Sequence, residues 1–390
     1  MALFSRSIEM EYGAISLDTN VYERGSFRFE SGILQQLTQF KKSPVKLLQT
    51  EVVHKESVAH IAKNIRSSMD ELERSLNSAR RHLSVSEANL KSAKDLLFDS
   101  SMDPTDLAKR KIMTFYKSSG VQLISSSKYT DLDKLLDMYF SITAPFENSK
   151  DKKNEFPDAI ALLSLESWAQ ANKTKIIVVS NDTGWENYCH HSTNLICLND
   201  LDDALSRFVT HGKLKEIIKY IQEEDLILKS NFFQRHIQDK IVSTMEASDP
   251  EIFARGSARG IYEVSSLKYL DHHYVKDGNQ NLVVKVVKVL EKLIVLKIEV
   301  IANFEVEVNF KFRVQEKSER INIFLDDGPY VSQEDFAAQV LLHLEGDFSG
   351  LIKGAEITNI EVLNEVETID LGFVGPDFLE IYDREGVLVR

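Results

Sequence analysis

The sequence predicts a three-layer α/β domain built on a central parallel sheet, followed by an α+β domain with an antiparallel sheet. Three observations carry this expectation. Short apolar runs near residues 13–17, 45–48, 121–124, 175–180 and 194–198 alternate with helical stretches, the rhythm of a parallel sheet crossed by helices. Lys175-Ile176-Ile177-Val178-Val179-Ser180 is a near-unbroken β-branched run, as in a strand buried on both faces. Phe304, Val306, Val308, Phe310, Phe312 and Val314 alternate strictly with Glu305, Glu307, Asn309, Lys311 and Arg313, which marks a strand with one buried and one wet face.

In chain order, Gly13 to Leu17 reads as a buried strand ending at Asp18, and Ile33 to Leu37 as the apolar stripe of the next helix. Val45-Lys46-Leu47-Leu48 is the second strand. From Val58 the apolar positions run Val58, Ile61, Ile65, Met69, Leu72 and Leu76, three or four apart among charges, a long amphipathic helix. Glu87 to Leu97 continues helical, and Asp103-Pro104-Thr105-Asp106 is a start signal for a helix through Tyr116. Residues 57–118 thus form a helical arm inserted into the first domain. Val121 to Ile124 returns to strand, Asp131 to Tyr139 to helix, and Phe146 to Asn154 is a polar loop leading into the helix Asp158 to Asn172. After the strands 175–180 and 194–198, helices lie between Leu201 and Met245; Leu282 to Val300 and Glu356 to Val366 supply further strands of the second sheet. The expected division is residues 1–215 and 216–390.

A chain of 390 residues exceeds the usual single-domain range, and 43% hydrophobic residues are enough to bury a real core. Forty-seven Lys and Arg against 60 Asp and Glu give a net charge of −13. That excludes whole-surface attraction to nucleic acid, which must instead be held locally. Only Cys189 and Cys197 are present, so no disulfide framework is expected and a reducing, cytoplasmic setting fits. Met1-Ala2-Leu3-Phe4-Ser5-Arg6 lacks the apolar core of a signal peptide. The most apolar stretch, Leu282 to Ile301, carries Lys285, Lys288, Glu291, Lys292, Lys297 and Glu299 and cannot cross a bilayer as a helix.

Four acidic signals stand at expected strand ends or in the opening turns of helices: Asp18 in Leu17-Asp18-Thr19-Asn20, Glu56 after Thr50, Asp158 in Phe156-Pro157-Asp158-Ala159, and Asp182 in Val178-Val179-Ser180-Asn181-Asp182. A parallel sheet gathers such positions into one crevice. Convergent carboxylates without Cys or His suit a hard cation, and such ions supply what phosphodiester hydrolysis needs: a nucleophilic water near neutral pH and compensation for charge on the phosphate. Each residue alone also reads as an ordinary helix cap or surface charge; the four together are harder to explain that way. Glu51, nearer the strand end, rivals Glu56, and Glu155 is a candidate fifth ligand or a solvated loop charge.

These segments, in this order and context, resemble the PIN-domain nucleases, in particular their larger bacterial members, over roughly the first half of the chain. The resemblance implies that Asp18, Glu56, Asp158 and Asp182 bind Mg²⁺ or Mn²⁺, and that Asn20 and Ser180 orient those carboxylates or bound water. It also implies a metal-dependent endoribonuclease acting on single-stranded RNA, in toxin-like growth arrest, phage defence or RNA processing. The helical arm between Glu56 and Asp158 departs from the smallest members and bears on substrate access.

Weaker signals complete the reading. Lys152 and Lys153 directly precede Asp158 and are candidates for touching a phosphate backbone; Lys41-Lys42, Arg80-Arg81, Lys109 to Lys111 and Lys150 read as solvated charge. Cys189-His190-His191 with Cys197, and His272-His273, match no zinc spacing. Gly256 to Gly260 lacks the Lys-Ser or Lys-Thr of a P-loop, and no Gly-x-Ser-x-Gly elbow occurs. Two alternatives stay open beside the ribonuclease: a non-catalytic scaffold that meets a protein partner or a second copy through the arm or the β-rich half, and a nuclease for structured DNA whose arm arches over a flap.

Overall fold

The computed structural model describes residues 12–83, 86–97, 103–148, 152–209, 216–221, 231–248, 250–255, 260–278, 280–315, 322–348, 353–366, 368–373, 381–382 and 388–389. The expectations for Met1 to Arg6, Lys150 and most of Gly256 to Gly260 fall outside them. The chain divides into two compact units: Met1–His211 with Val286–Glu291, and Gly212–Lys285 with Lys292–Arg390.

The first unit is a five-stranded, wholly parallel sheet flanked by helices. Its strands are β1 (Tyr12–Leu17), β2 (Lys46–Thr50), β3 (Gln122–Ile124), β4 (Lys175–Val179) and β5 (Leu195–Leu198), in the order β3-β2-β1-β4-β5. The central strands β1 and β4 bury nearly every side chain, which is why their sequences run apolar rather than alternating. Because the strands are parallel, their C-terminal ends share one edge. The strand order turns there between β1 and β4, the position at which such sheets place their sites.

Helices α1 (Thr19–Arg24) and α2 (Gly32–Gln35) follow β1, and a 3₁₀ segment Gln36–Lys42 leads into β2. The stripe Ile33 to Leu37 is therefore split between an α turn and a 3₁₀ segment rather than lying on one helix. Helix α3 (Glu51–Leu83) starts directly from β2 and runs unbroken for 33 residues, about 50 Å at 1.5 Å per residue. The arm is thus the outward continuation of a domain helix. Val53, Val58, Ile61 and Ala62 bury its base, whereas Ile65, Met69, Leu72 and Leu76 are only partly covered.

Helix α4 (Glu87–Leu97) and α5 (Pro104–Ser119) follow. Asp103 caps α5 by accepting from Thr105 N at 3.0 Å, Pro104 takes the first turn where no N–H is needed, and Gly120 ends it in the left-handed conformation at φ 77°. Phe115 of α5 stacks on Phe29 at 4.3 Å and packs edge-on to Tyr22, tying α5 to α1 and the turn that follows it. Then come α6 (Ser126–Tyr129), α7 (Leu132–Ser141), α8 (Phe156–Asn172), α9 (Thr183–His190) and α10 (Leu201–Ser206).

The second unit has a helix, α11 (Asn231–Ala247), and an antiparallel sheet containing β7 (Gly260–Tyr274), β9 (Leu293–Gln315), β10 (Asn322–Asp347) and β11 (Lys353–Val362), ordered β11-β10-β9-β7; β8 (Val284–Val289) lies between β7 and β9 in sequence. The alternation from Phe304 is borne out as far as Val308: Phe304, Val306 and Val308 are buried between half-exposed Glu305 and Glu307. A separate pair departs from the antiparallel rule: β6 (Glu251–Arg255) and β12 (Thr368–Phe373) run parallel. His272 hydrogen-bonds both Tyr269 and Tyr274.

Candidate metal centre

Asp18 leaves the end of β1 and caps α1. Its Oδ1 accepts from Thr19 N at 2.5 Å and its Oδ2 from Ser180 Oγ at 2.6 Å. With the side chain nearly buried, desolvation raises its pKa to about 6, against the lowering effect of those two donors. The negative charges of Asp182 and Glu56 add to the rise. Ser180, fully buried past the end of β4, is the hub of this edge: its Oγ also accepts from Asp182 N at 3.0 Å and from Asn20 Nδ2 at 3.2 Å.

Asp158 stands in the first turn of α8, after Pro157, where the helix N-terminus faces the sheet edge. Burial raises its pKa to about 7; a hydrogen bond from Trp185 lowers it, and the charges of Asp18, Asp182 and Glu56 raise it. Asp182 caps α9, accepting from Trp185 N at 3.0 Å, and is exposed. Gly184 is required beside it, because a Cβ there would lie 2.9 Å from Asp182 Oδ1 and 3.1 Å from the Pro145 carbonyl. Glu56 lies in the second turn of α3 and accepts from Thr19 Oγ1 at 2.8 Å.

Asp18, Glu56, Asp158 and Asp182 therefore come from four elements to one edge, close enough that Asp18 and Asp158 both feel the other members electrostatically. Glu51 turns elsewhere: its Oε2 accepts from Ser126 N at 3.1 Å, at the start of α6. Glu155 likewise caps the backbone of Glu147, 2.8 Å from its N. Lys152 is held by the carbonyl of Tyr139 and lies 4.2 Å over that residue's ring, so its ammonium is already engaged; Lys153 is exposed. Cys189 and Cys197 are free thiols, and Cys197 Sγ faces the Ser180 carbonyl at 3.7 Å. His191 bonds the carbonyl of Asn187 within its own helix turn.

Two participants escaped the sequence reading: Thr19, which holds Glu56, and Trp185, whose Nε1 donates to Asp158 Oδ1 at 2.7 Å. Trp185 carried a usable signal, since it stands three residues after a capping Asp and its backbone N–H is the one such a cap engages. Nothing in the sequence shows where its indole points.

The donor set suits a hard divalent cation: all-oxygen, anionic, and partly desolvated so that charge compensation is wanted. Asn20 Oδ1 fits the same picture. It is buried and accepts no hydrogen bond among the described residues, which leaves a lone pair for a metal-bound water. The four carboxylates are spread, however. Among the described residues the trio whose ligand oxygens all lie within 4.8 Å of one another is Asp200, Asp202 and Asp203, at the start of α10. In an octahedral shell at about 2.1 Å, opposite ligands are about 4.2 Å apart, so a wider carboxylate set leaves room for the waters Mg²⁺-like ions retain.

No helix among the described residues is long and apolar enough to cross a membrane. Comparison with curated proteins gives no match to the chain. The family model for the PIN domain matches residues 15–185, the span that runs from β1 through the first turn of α9 and contains Asp18, Glu56, Asp158 and Asp182. PIN domains are in general nucleases that bind divalent metals and act on nucleic acids, and residues 15–185 of this chain are similar to that domain.

Proposed function

We propose that the first unit is a metal-dependent endonuclease that hydrolyses single-stranded RNA, with Asp18, Glu56, Asp158 and Asp182 holding Mg²⁺ or Mn²⁺. The observation that carries the reading is the convergence of these four carboxylates at one sheet edge, with two of them desolvated and raised in pKa. When bound, the ion would lower the pKa of a coordinated water and offset charge on the attacked phosphate. The protein's part is geometric. Ser180 and Thr19 N fix both oxygens of Asp18, Thr19 Oγ1 fixes Glu56, and Asn20 Oδ1 offers an acceptor to water. Lys153, exposed just before α8, is the better placed of the lysine pair to meet a phosphate, because Lys152 is bound to Tyr139.

Preference for RNA rests on the likeness to PIN domains, as do roles in toxin-like growth arrest or phage defence, which an induction assay in growing cells would examine. The exposed Leu83 and Leu96, 73% and 86% accessible on the arm, support a partner or a second copy meeting that surface. The test is cleavage of labelled single-stranded RNA, single-stranded DNA and flap DNA with Mg²⁺, Mn²⁺ or EDTA. RNA cleavage that needs the metal is expected. Activity confined to flap DNA would replace the substrate class, and cleavage of nothing under any metal would sink the catalytic reading in favour of a scaffold.

A further inference from the structure

We propose that Trp185 is a positioning residue of the carboxylate centre, with its indole N–H setting the orientation of Asp158 and so the affinity for the divalent ion. The inference rests on the reading of Asp158 as a metal ligand. Trp185 is fully buried in the first turn of α9, and its two N–H groups serve two different carboxylates. The backbone N–H reaches Asp182 Oδ1 at 3.0 Å, and the indole Nε1 reaches Asp158 Oδ1 at 2.7 Å.

The backbone bond is generic to a capped helix and any residue at 185 would supply it. The indole bond is specific. A buried N–H must find an acceptor, and here the acceptor is a carboxylate 27 positions away on α8. A charge-assisted bond of this length pins Oδ1 and leaves Oδ2, which accepts no hydrogen bond among the described residues, to face a cation. Phe at 185 fills most of the space but offers no donor, and Tyr places its donor at the wrong reach. Gly184, hemmed in by Asp182 Oδ1 and Pro145, fixes the turn from which the indole projects. Partners of ligating groups that fix orientation in this way are worth about 10- to 100-fold in metal affinity.

The experiment measures Mn²⁺ binding to the full chain by calorimetry and by electron paramagnetic resonance of free Mn²⁺, at neutral pH, with circular dichroism as the fold control. Wild type is compared with Trp185→Phe and with a chain carrying 3-benzothienylalanine at 185, in which sulfur replaces the indole N–H and the shape is kept. About 10-fold or greater weakening in both, with unchanged circular dichroism, is expected. Wild-type affinity in the benzothienyl chain overturns the inference, even if Trp185→Phe is misfolded and uninformative. A wild-type chain that binds no Mn²⁺ overturns both this inference and the metal reading beneath it. A wild-type chain that binds Mn²⁺ yet cleaves no nucleic acid removes the nuclease reading and leaves the positioning role standing on the binding data.

Discussion

Two acidic groups lie in the first unit, and they differ in how the sequence assembles them. Asp200, Asp202 and Asp203 are neighbours in sequence and bring their oxygens within 4.8 Å of one another. Asp200, exposed, pairs with Arg24 of α1 at 3.3 Å, and Asp202, buried, accepts from Asp203 N at 2.8 Å, at a helix start where negative charge is favoured. Asp18, Glu56, Asp158 and Asp182 are scattered over the sequence and stand wider apart, yet Asp18, Glu56 and Asp158 accept from donors on other segments, and Asp18 and Asp158 are partly stripped of water. Proximity of carboxylates is therefore a poor guide to chemistry. A tight trio on one helix turn is a common consequence of capping, whereas a fold that brings four carboxylates from four elements to one edge, two of them desolvated, must oppose their repulsion, and a cation relieves it.

The sharpest way to break this contrast is substitution in each group. Asp18→Asn and Asp182→Asn should lower metal-dependent cleavage by about a thousandfold or more, since a bound ion supplies several kcal/mol at the transition state. Asp200→Asn should leave the rate within about twofold. Single-turnover cleavage of labelled RNA reads both, and comparable losses in the two groups would erase the distinction.

Which parts of this were legible in the sequence follows from the range of the interactions. The strand ends carrying Asp18 and Asp182 were legible because an apolar run followed by Asp is a local pattern, and the sheet that unites them follows from the β-α-β rhythm. Choosing Glu56 over Glu51 depended on helix phase. The structure separates them by partners: Thr19 for Glu56, the Ser126 backbone for Glu51. The engagement of Lys152 by Tyr139 and the indole bond of Trp185 were not legible, because they depend on how α7, α8 and α9 pack. The split of residues 33–42 into an α turn and a 3₁₀ segment was missed for a related reason, since apolar spacing of three or four fits either helix type.

A second test uses the pH dependence of stability in the metal-free chain. The folded-state pKa of Asp158 is raised from 3.8 to about 7 and that of Asp18 to about 6. Folded protein therefore holds protons that the unfolded chain releases, so this stabilisation is complete below about pH 4 and lost as pH rises through 6 and 7. Asp158→Asn removes the titrating group, and its Tm relative to wild type should climb over that interval. At about 1.4 kcal/mol per pKa unit the difference has an upper bound of about 4 kcal/mol, reduced by the remaining exposure of Asp158 and by its coupling to Asp18. Parallel Tm curves from pH 4 to 8 would show that the edge is not desolvated.

Third, Mn²⁺ should protect the folded chain. At a hundred times the dissociation constant, a single site adds about 2.7 kcal/mol, a rise of several degrees in Tm that EDTA reverses. The rise should vanish in Asp158→Asn and persist in Asp203→Asn. Persistence in the first and loss in the second would move the metal centre to the trio.

The smallest effect is expected at Thr19. Thr19→Val keeps the shape and removes the hydroxyl that donates to Glu56 Oε2 at 2.8 Å. Asp18 keeps its bond from Thr19 N, a backbone group, so the centre of the edge is undisturbed. Glu56 is only half-buried and can replace the lost donor with water, which limits the cost to about 1 kcal/mol, near a fivefold loss in apparent Mn²⁺ affinity. Trp185 has no such substitute, because its partner Asp158 is held by a donor from the fully buried core. The ranking of the two variants is thus fixed by exposure alone. A larger loss at Thr19 than at Trp185 would mean that the arm helix α3, through Glu56, governs the ion more than the sheet edge does.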